Sequence, residues 1–211
     1  MSVVVAIKEN GRVYLGCDSQ ATKGGTRTTL KNPNNYKIWN VLGVEACAMG
    51  HVGFVREACV VRLLDDLVRD IDVYRDAIDF GFVVRRVVPA IIDALNDARF
   101  RDPEETFTGF DSSYFFAYKD RLYTIMSDGA VMEIDDYAAI GSGRDQAIGS
   151  LLSTEGQDPV TRIVKAIKSS AASDIYVDYP IVLLDTVEQT FHVVTEDNEK
   201  EFLKKKGKEN A

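Results

Sequence analysis

A chain of 211 residues, 45% of them hydrophobic, is long enough to bury one substantial core. Its formal net charge of −8 argues against nucleic acid and anionic membranes as partners, and no run approaches the roughly 18 to 20 apolar residues of a membrane span. Three cysteines, Cys17, Cys47 and Cys59, lack the C-x-x-C spacing of zinc or redox sites, so the expectation is a reduced, cytoplasmic protein without cofactor or metal.

The segment SVVVAIK (2–8) is β-branched, and Glu9-Asn10-Gly11 is turn chemistry ahead of RVYLGC (12–17), which together predict a hairpin beginning at the second residue. A polar stretch follows from Asp18 to Asn35, then KIWNV and VEACAM read as two strands around Gly43. From Val52 the period changes. Val52, Val55, Cys59, Leu63, Leu67 and Ile71 recur at helical spacing, with Arg56, Arg62, Asp66, Arg69 and Asp70 largely on the other side. A second amphipathic helix covers about Phe82 to Phe100 on Val84, Val87, Val88, Ile91 and Leu95, with Pro89 kinking it or marking its effective start.

Strands return at SYFFAYK, RLYTIMS and AVMEI, with turns at Lys119-Asp120 and Asp128-Gly129, ahead of the motif AAIGSGRDQA. A helix follows from about Arg144 to Ser153. Asp158-Pro159 is an N-cap with proline at the first helical position, opening a helix on Val160, Ile163, Val164 and Ile167. PIVLLDT and TFHVVTE read as a closing hairpin, and EFLKKKGKENA as a solvated tail of a charged segment starting near residue 196. Blocks of strands and helices, without strict alternation, predict an α+β chain in which antiparallel sheets are stacked between helical layers. No linker or repeat divides it, so one domain over 1–211 is expected.

The chemistry starts at Ser2. Methionine is trimmed when the next residue is small, which would give Ser2 a hydroxyl and a free amine on adjacent atoms. An α-amino group with a pKa of about 7.7 to 8 is partly uncharged at neutral pH and can take the hydroxyl proton directly or through water. Nucleophile and base then come from one residue. Asp18, 16 residues further on, and Lys37, in YKIW, supply charge in order after it.

This series, Ser2, VVVAI, ENG, RVYLGC, Asp18 and Lys37, resembles the start of the proteasome-type N-terminal-nucleophile hydrolases, the β subunits of the 20S proteasome and HslV. ACAMGHVGF is similar to that family's strand-glycine-helix junction, AAIGSG to its Gly-Ser-Gly turn, and AIKSSAASDIYVD to the segment where a helix ends on an aspartate. The match runs from Ser2 to about Val194. The resemblance implies a four-layer αββα sandwich hydrolysing peptide bonds in unfolded chains, assembled as homo-oligomeric stacked rings and often served by an ATP-dependent unfoldase. It assigns Asp18 to hold Lys37 charged and aimed at Ser2, Ser142 and Asp174 to orient the amine, and the Gly50 amide, at a helix start, to meet the oxyanion. It implies substrate binding as an added strand near Thr22, with a side-chain pocket near Ala21, Ala48 and Val52. A monovalent cation near the Asp174 loop belongs to the family pattern, although nothing in this sequence demands one.

The family has threonine where this chain has Ser2, and serine is less stiff at χ1. Two other readings stay open from the residues: a structural ring subunit that retains Met1, and an amidohydrolase of small N-acyl compounds. His51 reads as a solvated residue in a first helical turn, His192 as structural, and Cys17 as buried in its strand.

Overall fold

In the computed structural model, which describes residues 2–98 and 109–209, the N-terminal hairpin forms as predicted. Strands β1 (Val3–Glu9) and β2 (Arg12–Cys17) pair antiparallel through a two-residue turn at Asn10 and Gly11, with φ of 55° and 72°. Positive φ at both positions is the primed turn whose twist matches the strands it joins. The closing strands β11 (Ile181–Asp185) and β12 (His192–Val194) extend this sheet beyond β2, and β10 (Tyr137–Gly141) flanks β1, giving the order β10-β1-β2-β11-β12. A second five-stranded sheet runs β5 (Ile38–Asn40), β6 (Cys47–Val52), β7 (Ser113–Tyr118), β8 (Arg121–Ile125), β9 (Val131–Ile134). Within the polar stretch after Asp18, β3 (Gln20–Lys23) and β4 (Thr26–Thr29) form a small separate ribbon. Its exposed threonines and charges gave no alternating apolar signal to read.

The two large sheets face each other across Val4, Ala6, Leu15 and Cys17 on one side and Ile38, Ala48, Phe115 and Leu122 on the other. Alternation along each strand sends the next residues to the outer faces. Val3, Val5, Ile7 and Leu183 meet α5 (Arg144–Ser153) and α6 (Pro159–Ala171), while Trp39, Met49, Phe116 and Tyr123 meet α1 (Val55–Val61), α2 (Asp65–Tyr74) and α4 (Val88–Asp97). The result is the expected four-layer αββα sandwich. The Asp158 side chain caps α6 by accepting from the Thr161 amide at 3.0 Å, with Pro159 in the first turn.

Three expectations are corrected. The helix predicted from Val52 is two helices, and Val52 itself ends β6. The break around Arg62–Leu64 resets the helical phase. The buried line is therefore Ala58, Val61, Leu64, Leu67 and Ile71, whereas Val55 and Leu63 are exposed. In the second helical region, a short turn α3 (Phe80–Phe82) passes into a π-helical stretch, Val83–Val87, and then into α4, with Val84 exposed. Widening the turn lets the Val88 amide bond to the Val83 carbonyl just before Pro89, which has no N–H to give. The expected end at Phe100 lies outside the described residues. Finally, the charged tail is not wholly solvated. It forms α7 (Glu199–Glu209), whose Phe202 and Leu203 lean on the α6 layer while Glu199 takes Lys168 Nζ at 2.8 Å. Among the described residues no helix is long and apolar enough to cross a membrane.

Candidate active site

The hairpin explains the 16-residue interval between Ser2 and Asp18. Its register sets Val4 opposite Cys17, so the next step along the ladder sets Asp18 beside Val3, one residue from Ser2. Asp18 then bonds that end of β1 twice: its amide donates to the Val3 carbonyl at 3.3 Å, and its Oδ1 accepts from the Val3 amide at 2.9 Å. Its other oxygen accepts from the Gln20 amide at 2.9 Å. Lys37, entering from the opposite sheet just before β5, places Nζ 2.6 Å from Asp18 Oδ1 and donates to the Gln20 carbonyl at 2.7 Å. Asp18 is fully buried and Lys37 is 7% exposed. One carboxylate oxygen thus bridges the Lys37 ammonium and the backbone adjoining Ser2.

The Gly-Ser-Gly turn grips Ser2 from the other flank. Val3 is in register with Gly141, and the Ser2 nitrogen donates to Ser142 Oγ at 3.0 Å. Ser142 Oγ and the Gly143 amide each lie 3.3 Å from the Ser2 carbonyl oxygen, as donors to it. Gly141 has φ of +104°, and a Cβ there would stand 2.1 Å from the Ser2 carbonyl oxygen. Only glycine permits that approach. Ser142 does not cap α5; the cap position is Gly143. With Met1 attached, the Ser2 nitrogen is an amide.

Asp174 is fastened to the same turn indirectly. Its amide donates to the Ser170 carbonyl at 2.8 Å, and Ser170 Oγ donates to the Gly143 carbonyl at 2.7 Å. Its Oδ1 accepts from the Tyr176 amide, and its buried Oδ2 has no hydrogen-bond partner among the described residues.

Gly50 does not stand at a helix start. It lies inside β6, in register with Ile38 on one side and Phe115 on the other, four residues short of Phe54, the cap of α1. The Lys119 amide donates to the Ala46 carbonyl, and the strict alternation of an antiparallel ladder makes Gly50 and Phe115 a hydrogen-bonded pair further along. Its amide is therefore part of the sheet. The glycine at the junction is Gly53, with φ of +130° and a Cβ position 2.4 Å from the Asp111 carbonyl oxygen.

A cleft of ≈ 300 Å³ opens beside Ser2 and Lys37, walled by Ala21, Thr22, His51, Gly53, Cys59 and Arg62 among others. Ala21 and Thr22 lie where expected. Ala48 does not: it is fully buried between the sheets. Val52 packs in that same interlayer core and borders a different depression, next to Gly141 and Ser142. Both corrections share a cause, since β6 continues to Val52 and its even-numbered residues face the sandwich interior.

His51 is neither helical nor solvated. It is 4% exposed in β6, its amide donates to the Lys37 carbonyl at 2.8 Å, and its Nε2 lies 3.0 Å from Ser112 Oγ. Burial, then the neighbouring Lys37 charge, push its pKa down to about 3, so the ring is neutral. Ser112 Oγ also accepts from the Phe54 amide at 3.0 Å, which ties His51 to the start of α1. The sequence held no sign of this beyond a histidine alternating with core residues of a strand. Burial raises the Cys17 thiol to about 12, which keeps it inert. Among the described residues no group of three or more His, Cys, Asp or Glu is placed to hold a metal ion.

No family model and no curated protein matches the chain. Solved structures do match. BPH from Thiobacillus denitrificans, in complex with epoxomicin, is 15% identical with a TM-score of 0.63, over 92% of this chain and 99% of that one. HslV from Trypanosoma brucei is 16% identical with a TM-score of 0.62, over 87% and 98%. Anbu, an ancestral β-subunit, from Yersinia bercovieri is 14% identical with a TM-score of 0.66, over 99% and 93%. All three are proteasome-type N-terminal-nucleophile hydrolases.

Proposed function

We propose that this chain, which carries the proteasome-type N-terminal-nucleophile hydrolase fold, is a peptidase whose nucleophile is Ser2 after removal of Met1. The observation that carries the reading is the shared Asp18 oxygen, which joins the Lys37 ammonium to the backbone next to Ser2 while Ser142 holds the Ser2 nitrogen. Once freed, that nitrogen is an amine. The nearby ammonium disfavours its protonation, leaving it able to accept the hydroxyl proton. The hydroxyl oxygen attacks a peptide carbonyl, the amine passes the proton to the leaving nitrogen, and the acyl ester on Ser2 is hydrolysed by water.

Gly53 takes the role expected of Gly50. It sits just after β6, at the strand-helix junction, and lines the cleft together with Ser2 and Lys37. An amide there is a donor for the oxyanion. Asp174 keeps a buried carboxylate oxygen in reserve for the freed amine. Among the described residues β3 pairs only with β4, and its other edge is where a substrate strand would add beside Thr22. Assembly into stacked homo-oligomeric rings, with an ATP-dependent unfoldase feeding them, completes the reading.

The test is turnover of short fluorogenic peptides by the purified chain and by Ser2→Ala. Release from peptides that disappears in Ser2→Ala supports it. Turnover confined to small acyl amides, or unaffected by the substitution, rejects it.

A further inference from the structure

The cleft beside Ser2 contains a cation that no carboxylate among the described residues offsets. Among the described residues no aspartate or glutamate lines it, and the side chains on its wall able to carry positive charge are Lys37, His51 and Arg62. Lys37 is matched by Asp18, and His51 is held neutral by burial and by Lys37 itself. Arg62 differs. It lies at the C-terminal end of α1, donates one Nη2 hydrogen bond to the Tyr36 carbonyl, and stacks its guanidinium carbon 4.5 Å from the Trp39 ring centre. Those two contacts fix the plane of the guanidinium and leave its charge intact. A guanidinium has five N–H donors, and the one directed at Tyr36 accounts for one of them. The remaining wall, including Thr22, Asn34 and Cys59, is uncharged.

A fixed, half-buried guanidinium with donors to spare, in a cavity without a carboxylate, binds a carboxylate best. We propose that Arg62 is the specificity-determining residue of this cleft and that it selects peptides with an acidic side chain on the residue whose carbonyl Ser2 attacks. This inference rests on the peptidase reading for its geometry relative to the scissile bond. The chain as a whole carries a charge of −8 and repels acidic peptides at long range. The preference therefore belongs to one side chain at short range, and polyacidic chains as a class gain nothing from it.

The test uses full-length protein in two arms. In the first, acetyl-Ala-Ala-Glu amide and its glutamine analogue are titrated calorimetrically into Ser2→Ala protein at low salt. The expected result is binding of the glutamate peptide about tenfold tighter, weakening with salt, as a charge-assisted hydrogen bond across a partly solvated site should. Arg62→Gln should abolish the difference and Arg62→Lys should keep part of it. Because Arg62 also packs on Trp39, Thr22→Asp is the second variant. It adds a carboxylate to the same wall with Arg62 intact and should equally remove the preference. Equal affinities, a preference that survives both Arg62→Gln and Thr22→Asp, or binding of neither peptide overturns the inference. In the second arm, coumarin amides of the same peptides are offered to protein with Ser2 intact. An Arg62-dependent binding preference without turnover upholds the cleft assignment and rejects the peptidase reading. Turnover indifferent to glutamate or glutamine does the reverse.

Discussion

Lys37 and Asp18 form an ion pair of 2.6 Å in which the carboxylate is wholly buried and also receives the Val3 and Gln20 amides. A pair this sequestered is costly to break from one side. Lys37→Met leaves a buried carboxylate without its countercharge, and we expect a loss of about 3 to 5 kcal/mol in urea denaturation. Turnover should vanish even under conditions where the variant is folded, because the charge beside the Ser2 amine is gone. A folded Lys37→Met protein with undiminished activity would separate the pair from the chemistry.

Ser142 is a different kind of test, because among the described residues its hydroxyl bonds only Ser2. Ser142→Ala should change stability by about 1 kcal/mol, one net hydrogen bond, while lowering kcat by about 10² to 10⁴, the range for loss of an oriented proton acceptor. The measurement is kcat against the urea midpoint for the same preparation.

Gly141→Ala addresses the grip on Ser2 from the backbone side. The added methyl would meet the Ser2 carbonyl oxygen at 2.1 Å, at a φ of +104° that alanine avoids. We expect at least about 3 kcal/mol of destabilisation and no turnover. Gly25→Ala is the control. Its φ is also positive, at +83°, but nothing lies within 4 Å, so the cost should stay near about 1 kcal/mol with activity kept.

His51 predicts a pH dependence of stability. Its pKa falls from 6.5 in the unfolded chain to about 3 in the folded one, so between those values the unfolded state binds more protons. Stability is complete above about pH 6.5 and is lost as pH falls, with a slope of up to about 1.4 kcal/mol per pH unit from this residue. His51→Asn should flatten the curve across that window. Superimposable slopes for the two proteins would show that His51 does not stay neutral in the fold.

The framework was legible wherever local signals agreed with the tertiary structure. The Asn10-Gly11 turn, the Asp158-Pro159 cap and the aromatic run SYFFAY each need only their neighbours to be read. The register of the first hairpin even explains why Asp18 stands where it does. The site was less legible where β6 outruns its apparent end. Val52 fits a helical stripe and a strand equally well in sequence, and only pairing with Ser113 decides between them. That one ambiguity misplaced Gly50, His51 and Val52 together, while Ala48 was read in the right strand and on the wrong face. Arg62 gave no signal for a complementary reason: on a helix an arginine is ordinarily solvent-facing, and its place over Trp39 depends on the break between α1 and α2.

The proposed chemistry turns on a single atom, the nitrogen of Ser2, and intact-mass spectrometry paired with peptide turnover reads its state. The expected species is lighter by one methionine and hydrolyses peptides, with hydrolysis abolished in Ser2→Ala. Peptide hydrolysis by protein that keeps Met1 throughout, or hydrolysis undiminished in Ser2→Ala, would contradict that chemistry.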